Sequence, residues 1–115
     1  MRKRTTAFLI AILAFAALPA FGGTAAAAPK ATIELGDNFF KPAKRTVRRG
    51  TIVRFLWIGG NPHNVKKARG PGPRFKSRTR SRRGVNFAKR FGQRGNYLLV
   101  CTIHPRKMRL RLRVR

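Results

Sequence analysis

The last seven residues, 109–115 (RLRLRVR), alternate strictly between arginine and an aliphatic residue. Successive side chains of a β-strand point to opposite faces of a sheet. The pattern therefore places Leu110, Leu112 and Val114 on an inward face and the arginines on an outward face. A strand with one buried and one solvated face is predicted here.

Short strands separated by turns are also predicted in the rest of residues 28–115, and no segment has the length and periodicity of a useful helix. The expected strands cover residues 31–35, 51–58, 64–67, 85–91 and 96–102, and the stretch 39–50 runs through Pro42 to a turn at Gly50. Clusters of glycine, proline and asparagine separate them, without the spacing of βαβ units. This organisation predicts an all-β sandwich of about seven strands.

Two of these strands carry an apolar face that marks the expected core. The residues in phase are Val53, Phe55 and Trp57 in one strand and Val85, Phe87 and Phe91 in another. Because their spacing is that of an inward strand face, we expect them to pack between the sheets rather than to form a stacking platform for a ligand.

The N-terminal segment, residues 1–27, has the features of a secretory signal peptide. Three basic residues near the start precede an uncharged apolar run at 7–21, and small residues follow it. A basic start, an apolar core of about 7–15 residues and a small-residue end are typical of such signals. We expect cleavage after Ala27 and export to the periplasm, the cell envelope or the exterior. A retained N-terminal anchor is the alternative.

The expected mature domain, residues 28–115, is small and strongly basic. It keeps 25 of the 28 basic residues of the chain and both acidic ones, Glu34 and Asp37, so its formal net charge is +23. Repulsion at this level opposes folding, so the charge is expected to serve a partner that is acidic, or an anionic membrane or wall surface. Neither carboxylate is paired with a nucleophile, so the sequence does not predict an enzyme.

Basic residues are dense in residues 66–84, where the glycines and prolines at 70–73 interrupt regular structure. We expect an irregular basic loop. Two interpretations remain open, a solvated loop or a docking surface for an anionic partner. The docking residues would be Arg78, Arg80, Arg82 and Arg83.

Both histidines, the only cysteine and one of the two methionines lie in two short stretches, NPHNV at 61–65 and CTIHPRKM at 101–108. If the preceding strands are neighbours in a sandwich, their ends converge at one pole and bring these side chains together. Two imidazoles, a thiolate and a weak axial thioether form a type 1 (blue) copper site. Copper binding would also account for an odd cysteine in an exported chain. The alternative is that the cysteine and methionine are packing residues.

The stretches RRGTIVRFLW, NPHNV, FGQRGNY and CTIHPRKM resemble the motifs of the cupredoxins, the small blue copper proteins of the plastocyanin and pseudoazurin group. The resemblance covers roughly residues 31–115. It implies a Greek-key β-sandwich that binds one type 1 copper ion. The implied equatorial ligands are His63, Cys101 and His104, and the implied axial ligand is Met108.

The resemblance also implies supporting residues around the metal. Asn64 would hydrogen-bond the two ligand loops together, and Tyr97 would fix the turn before the cysteine strand. Pro105 would lie beside the copper ligands.

The implied function is one-electron transfer between Cu(II) and Cu(I) through the exposed edge of His104. Arg106 and Lys107 beside that edge would raise the reduction potential and select an acidic redox partner. We expect a monomer.

Two other functions stay open at this level, because a fold does not fix a function. A cupredoxin scaffold can serve as an exported basic protein that binds an anionic polymer or nucleic acid. The signal peptide, and the lack of a recognition helix or RNA-binding motif, argue against nucleic acid. Copper storage or delivery is the other function. Proteins with this function normally have a labile, sulfur-rich metal site.

Overall fold

The computed structural model describes residues 27–115, so the predicted signal peptide, apart from Ala27, lies outside the described residues. This part of the chain forms eight strands in two four-stranded sheets, which confirms the all-β class. The strands are β1 Lys30–Gly36, β2 Phe39–Lys41, β3 Lys44–Val47, β4 Ile52–Trp57, β5 Lys66–Arg69, β6 Gly84–Arg90, β7 Gly95–Val100 and β8 Arg109–Val114. Over residues 27–115, no helix is long and apolar enough to cross a membrane.

The strand order is β2-β1-β4-β6 in the first sheet and β3-β8-β7-β5 in the second. β1 pairs parallel with β4, and β3 pairs parallel with β8, while the remaining pairs are antiparallel. The chain crosses from one sheet to the other after β2, β3, β4, β5 and β6. Because β1 and β4 run in the same direction, the loops that follow them leave the sandwich at the same end.

The core lies between the sheets and is built from the alternating faces of the strands. On β8, Leu110, Leu112 and Val114 are at most 2% exposed, as the alternation predicted. On β4, the three side chains Val53, Phe55 and Trp57 are at most 1% exposed. Each fully buried aliphatic side chain of this kind contributes about 1.5–3 kcal/mol through removal of apolar surface from water.

The prediction for Val85 is wrong, because this side chain is 53% exposed. In the β4–β6 pairing, Phe87 lies opposite Phe55, but a register shift then sets Val85 opposite Leu56 and Gly84 opposite Trp57. One extra residue in β6 therefore reverses the faces, as in a β-bulge. Phe87 and Phe91, which lie after the shift, pack against the core as expected.

The segment expected to be irregular, residues 66–84, begins with β5 and is attached to the sandwich beyond it. Lys67 is buried, and its ammonium group donates to the carbonyls of Pro71 (2.7 Å) and Gly72 (2.6 Å). The indole N–H of Trp57 donates to the carbonyl of Arg80 (2.8 Å). The basic loop is thus fixed against the strand that precedes His63.

Candidate metal centre

Loops from three strands meet at one end of the sandwich. His63 and Asn64 lie in the loop between β4 and β5, and Cys101 follows the last residue of β7. The side-chain oxygen of Asn64 accepts a hydrogen bond from the backbone N–H of Thr102 (2.9 Å). Its amide group donates to the hydroxyl oxygens of Thr102 (2.7 Å) and Thr79 (3.1 Å). One buried amide therefore joins the loop that carries His63 to the loop that carries the cysteine.

The cysteine loop is a tight connection between the paired strands β7 and β8. The backbone N–H of Cys101 donates to the carbonyl of Met108 (3.2 Å), and the N–H of Met108 donates to the carbonyl of His104 (2.9 Å). The side chains of Cys101 and Met108 are fully buried, His104 is half-buried and Ile103 is 45% exposed. The loop therefore holds its two sulfur residues inside the protein and its histidine at the surface.

His63 is fully buried, and its two ring nitrogens have different surroundings. Nε2 lies 3.0 Å from Oδ1 of Asp37, whereas Nδ1 has no hydrogen-bond partner within residues 27–115. A neutral imidazole that donates from Nε2 to a carboxylate has a free lone pair on Nδ1. A buried acceptor without a partner is rare in folded proteins, and metal binding is one way to satisfy it.

Asp37, in the turn after β1, fixes the other side of this ring. Its carboxylate accepts hydrogen bonds from the backbone N–H groups of Gly60 (3.0 Å) and Asn61 (2.9 Å). These two bonds, followed by the His63 ring, lower the pKa of Asp37 from 3.8 to about 2, so the carboxylate is ionised at neutral pH. Gly59 permits this close approach, because a Cβ atom at that position would overlap the carboxylate.

Asp37 was not among the residues that the sequence predicted for the site. One feature of the sequence that could have pointed to Asp37 is composition, since it is one of only two acidic residues in a chain with 28 basic residues. Its position directly after a predicted strand was a second signal. The parallel pairing of β1 with β4 brings Asp37 to His63, and no local sequence pattern indicates that pairing.

The side-chain types of the candidate residues fit a copper ion, and two of these side chains, the imidazoles, are neighbours. The imidazole rings of His63 and His104 are 5.8 Å apart at their centroids. Two rings that share a metal through nitrogen bonds of about 2 Å stand roughly 5–6 Å apart. Imidazole nitrogen with soft sulfur is a donor set that suits copper. Within residues 27–115, no three side chains of the His, Cys, Asp and Glu types already form a metal-holding group.

Of the remaining residues expected at the site, Pro105 lies in the cysteine loop, whereas Tyr97 lies toward the opposite end of β7, near the turn that precedes this strand. The buried Tyr97 donates its O–H to the carbonyl of Gln93 (2.6 Å), which closes the turn before β7. Burial raises the pKa of Tyr97, so the phenol keeps its proton. Pro105 is exposed, and its carbonyl accepts a hydrogen bond from the Arg109 guanidinium (3.3 Å).

The residues expected to dock a partner are all exposed. They are Arg78, Arg80, Arg82, Arg83, Arg106 and Lys107. The backbone of Arg80 forms a two-way bridge with that of His63, with both N–H to carbonyl distances at 2.9 Å. The basic loop therefore passes directly beside the buried histidine.

No protein-family model matches the sequence, and no curated protein matches it. Several solved structures are similar. Oxidized plastocyanin from Dryopteris crassirhizoma is 25% identical with a TM-score of 0.63, over 74% of this chain and 100% of that one. A reduced amicyanin mutant is 21% identical with a TM-score of 0.67, over 80% of this chain and 88% of that one.

The copper-containing nitrite reductase from Thermus scotoductus SA-01 is also similar, at 23% identity and a TM-score of 0.63. The alignment covers 75% of this chain, and the chain spans only 22% of the reductase. The two-sheet architecture and these similarities agree with the motifs of the sequence. The chain has the cupredoxin fold.

Proposed function

We propose that the protein is an exported one-electron carrier that binds a single type 1 copper ion, and not an enzyme. The observation that carries the proposal is the state of the buried His63 ring. Its Nε2 is occupied by Asp37, and its Nδ1 has no partner among the described residues. The His63 ring lies next to the ring of His104. The loop that carries His63 is hydrogen-bonded to the cysteine loop through Asn64.

Four side chains would hold the metal: His63, Cys101, His104 and Met108. A copper ion bound there would supply one-electron chemistry between Cu(II) and Cu(I). Full burial of the two sulfur residues excludes water from the thiolate and protects it from oxidation.

The surrounding residues act by fixing these ligands. Asp37 holds the His63 ring in the tautomer that leaves Nδ1 free, and it restrains the orientation of the ring. The Asn64 bridge keeps the two ligand loops at a constant separation. Such a scaffold limits rearrangement when an electron is gained or lost, so the transfer is fast.

The half-buried His104 is the proposed route for the electron. It lies between the exposed Ile103 and Pro105, which provide a small apolar rim, and the exposed Arg106 and Lys107 follow it. An acidic redox partner would be attracted to this rim, and the attraction would weaken with added salt. The second-order rate of electron exchange with an acidic redox protein should therefore fall as ionic strength rises. A rate that does not change with salt would contradict this part of the proposal.

Copper titration followed by visible absorption and electron paramagnetic resonance tests the site. We expect one equivalent of copper to give an intense thiolate-to-copper band and narrow hyperfine splitting, both of which are absent in Cys101→Ser. A protein that stays colourless with stoichiometric copper would refute the proposal.

A further inference from the structure

A groove of about 440 Å³ lies on the outer face of the β3-β8-β7-β5 sheet. Six basic residues line it, and we refer to them as the basic face: Lys44, Arg45, Arg69, Arg109, Arg111 and Arg113. The two acidic side chains of the chain lie elsewhere, Glu34 within β1 and Asp37 just after it. Within residues 27–115, the only contact of salt-bridge length between an acidic and a basic side chain joins Asp37 to the His63 ring. The basic face therefore has no acidic side chain paired with it in the described structure.

Strand pairing sets positive side chains of this face side by side. Lys44 of β3 is in register with Arg111 of β8, and Arg111 is in register with Leu98 of β7 on its other side. Arg69 of β5 follows in the same row, opposite Leu98. Like charges directly opposite each other on neighbouring strands are destabilising. An arrangement that opposes folding in this way is expected to serve a ligand that neutralises it.

The side-chain chemistry of the face favours phosphate esters. Five of its six residues are arginines. The planar guanidinium group donates two parallel hydrogen bonds to a phosphate, which a point charge such as an ammonium group does not reproduce. Arg111 and Arg113 are two residues apart on one strand, so they repeat at about 6.7 Å along it. A row of this kind fits an extended polymer whose phosphates are separated by several backbone atoms.

The aromatic content of the groove bears on whether that polymer carries bases. Tyr97 is the aromatic residue that lines it, and this side chain is buried with its O–H bonded to Gln93. Proteins that bind single-stranded nucleic acid without sequence preference stack the bases on aromatic side chains. We infer that the basic face binds a linear, base-free phosphodiester polymer of the polyol-phosphate type. This inference goes beyond electron transfer and does not depend on copper.

Binding of fluorescently labelled polyglycerol phosphate to the full protein tests the inference. The face variant carries Lys44→Gln, Arg111→Gln and Arg113→Gln, because glutamine keeps the aliphatic stem and removes the charge. The matched control carries Arg78→Gln, Arg82→Gln and Arg83→Gln, which lowers the net charge equally on the basic loop. Arg109 is left unchanged in both, because its guanidinium group donates to the carbonyl of Pro105 in the cysteine loop.

At about 0.15 M salt we expect the face variant to bind at least about tenfold more weakly, and the control to change less than about twofold. The slope of log K against log salt should become shallower by about 2 in the face variant, since each phosphate contact on a single strand contributes roughly 0.7. Arg111→Lys with Arg113→Lys keeps the charge and the fold, and should weaken binding several-fold through loss of the guanidinium fork.

Three results would overturn the inference. Equal losses in the face variant and the control would show that net charge alone determines binding. Unchanged affinity in the double lysine variant would show that phosphate geometry is not recognised. Tighter binding of single-stranded oligothymidylate, inorganic polyphosphate or polyglutamate than of polyglycerol phosphate would assign the face to a different class of ligand.

Discussion

At the scale of single residues, the contact with Asp37 occupies Nε2 of the buried His63 ring, and Nδ1 has no partner within residues 27–115. A carboxylate held by two backbone N–H groups keeps its charge and its position. Both histidines could be assigned to the candidate site from the sequence, because they fall in motifs with characteristic spacing. Asp37 could not, because its contact with His63 joins residues 26 positions apart through sheet pairing.

The first prediction concerns the pH dependence of this contact in the metal-free protein. The pKa of Asp37 is lowered on folding, so its carboxylate stabilises the fold above the ordinary value of 3.8, and this contribution is lost as the pH falls to about 2. Asp37→Asn should therefore lower the free energy of unfolding near neutral pH. The difference from wild type should narrow below about pH 4, be largely lost near pH 2 and vanish only below the folded-state pKa.

Urea unfolding at a series of pH values measures this difference. Glu34→Gln, which removes the only other acidic side chain, is the control. A wild-type to Asp37→Asn difference that is independent of pH, or equal in the two variants, would contradict the role assigned to Asp37.

The second prediction concerns Asn64. Asn64→Ala removes three hydrogen bonds and leaves the Thr102 N–H without its acceptor. Buried unsatisfied groups cost about 1–3 kcal/mol each, so we expect a loss of roughly 2–4 kcal/mol in the free energy of unfolding.

Asn86→Ala is the matched control, because Asn86 forms a single exposed hydrogen bond to the Arg82 carbonyl. Its cost should stay below about 1 kcal/mol. Similar costs in urea titrations of both variants would argue against the bridge.

At the scale of strands, the periodicity of apolar residues predicted the buried face correctly except in the strand that contains a bulge. The alternation of β8 assigned its buried face correctly, because β8 pairs with β7 without a shift. The same reasoning failed at Val85, where a register shift between Phe55 and Leu56 reverses the faces of β6. A bulge depends on the partner strand, so the sequence of β6 alone does not reveal it.

The third prediction tests the two faces of the strands. Leu110→Ala on the buried face of β8 should cost about 2–5 kcal/mol, because it leaves a cavity in a fully buried site. Leu56→Ala, on the half-buried outer face of β4, should cost about 1 kcal/mol or less. Urea denaturation of both variants measures the difference. Equal costs would contradict a single core between the sheets.

At the scale of the whole molecule, charge is the dominant property. The chain has 28 basic and two acidic residues, so repulsion among like charges opposes the folded state at neutral pH. The register of β3 with β8 increases this repulsion locally by pairing Lys44 with Arg111. The repulsion could be predicted from composition alone. The position of the basic face could not, because it depends on the sheet order, in which strands that are distant in sequence are neighbours.

The fourth prediction is that salt stabilises the protein. Raising the ionic strength from about 0.01 M to 0.15 M shortens the Debye length from about 30 Å to about 8 Å and so screens the repulsion. The melting temperature should rise by about 4–8 °C for each kcal/mol of repulsion that is removed. Thermal melts followed by circular dichroism in sodium chloride measure the change. The variant with Lys44→Gln, Arg111→Gln and Arg113→Gln should show a smaller rise. A melting temperature that falls with salt would contradict the account.

The most direct test of the central claim is a crystal structure of the copper-loaded protein, with the metal located by anomalous scattering at the copper edge. The account predicts one copper ion bonded to Nδ1 of His63, Sγ of Cys101 and a ring nitrogen of His104, with Sδ of Met108 in the axial position. It also predicts that Nε2 of His63 stays bonded to Asp37. Copper bonded to Nε2 of His63 and the Asp37 carboxylate, or no copper beside Cys101, would contradict the claim.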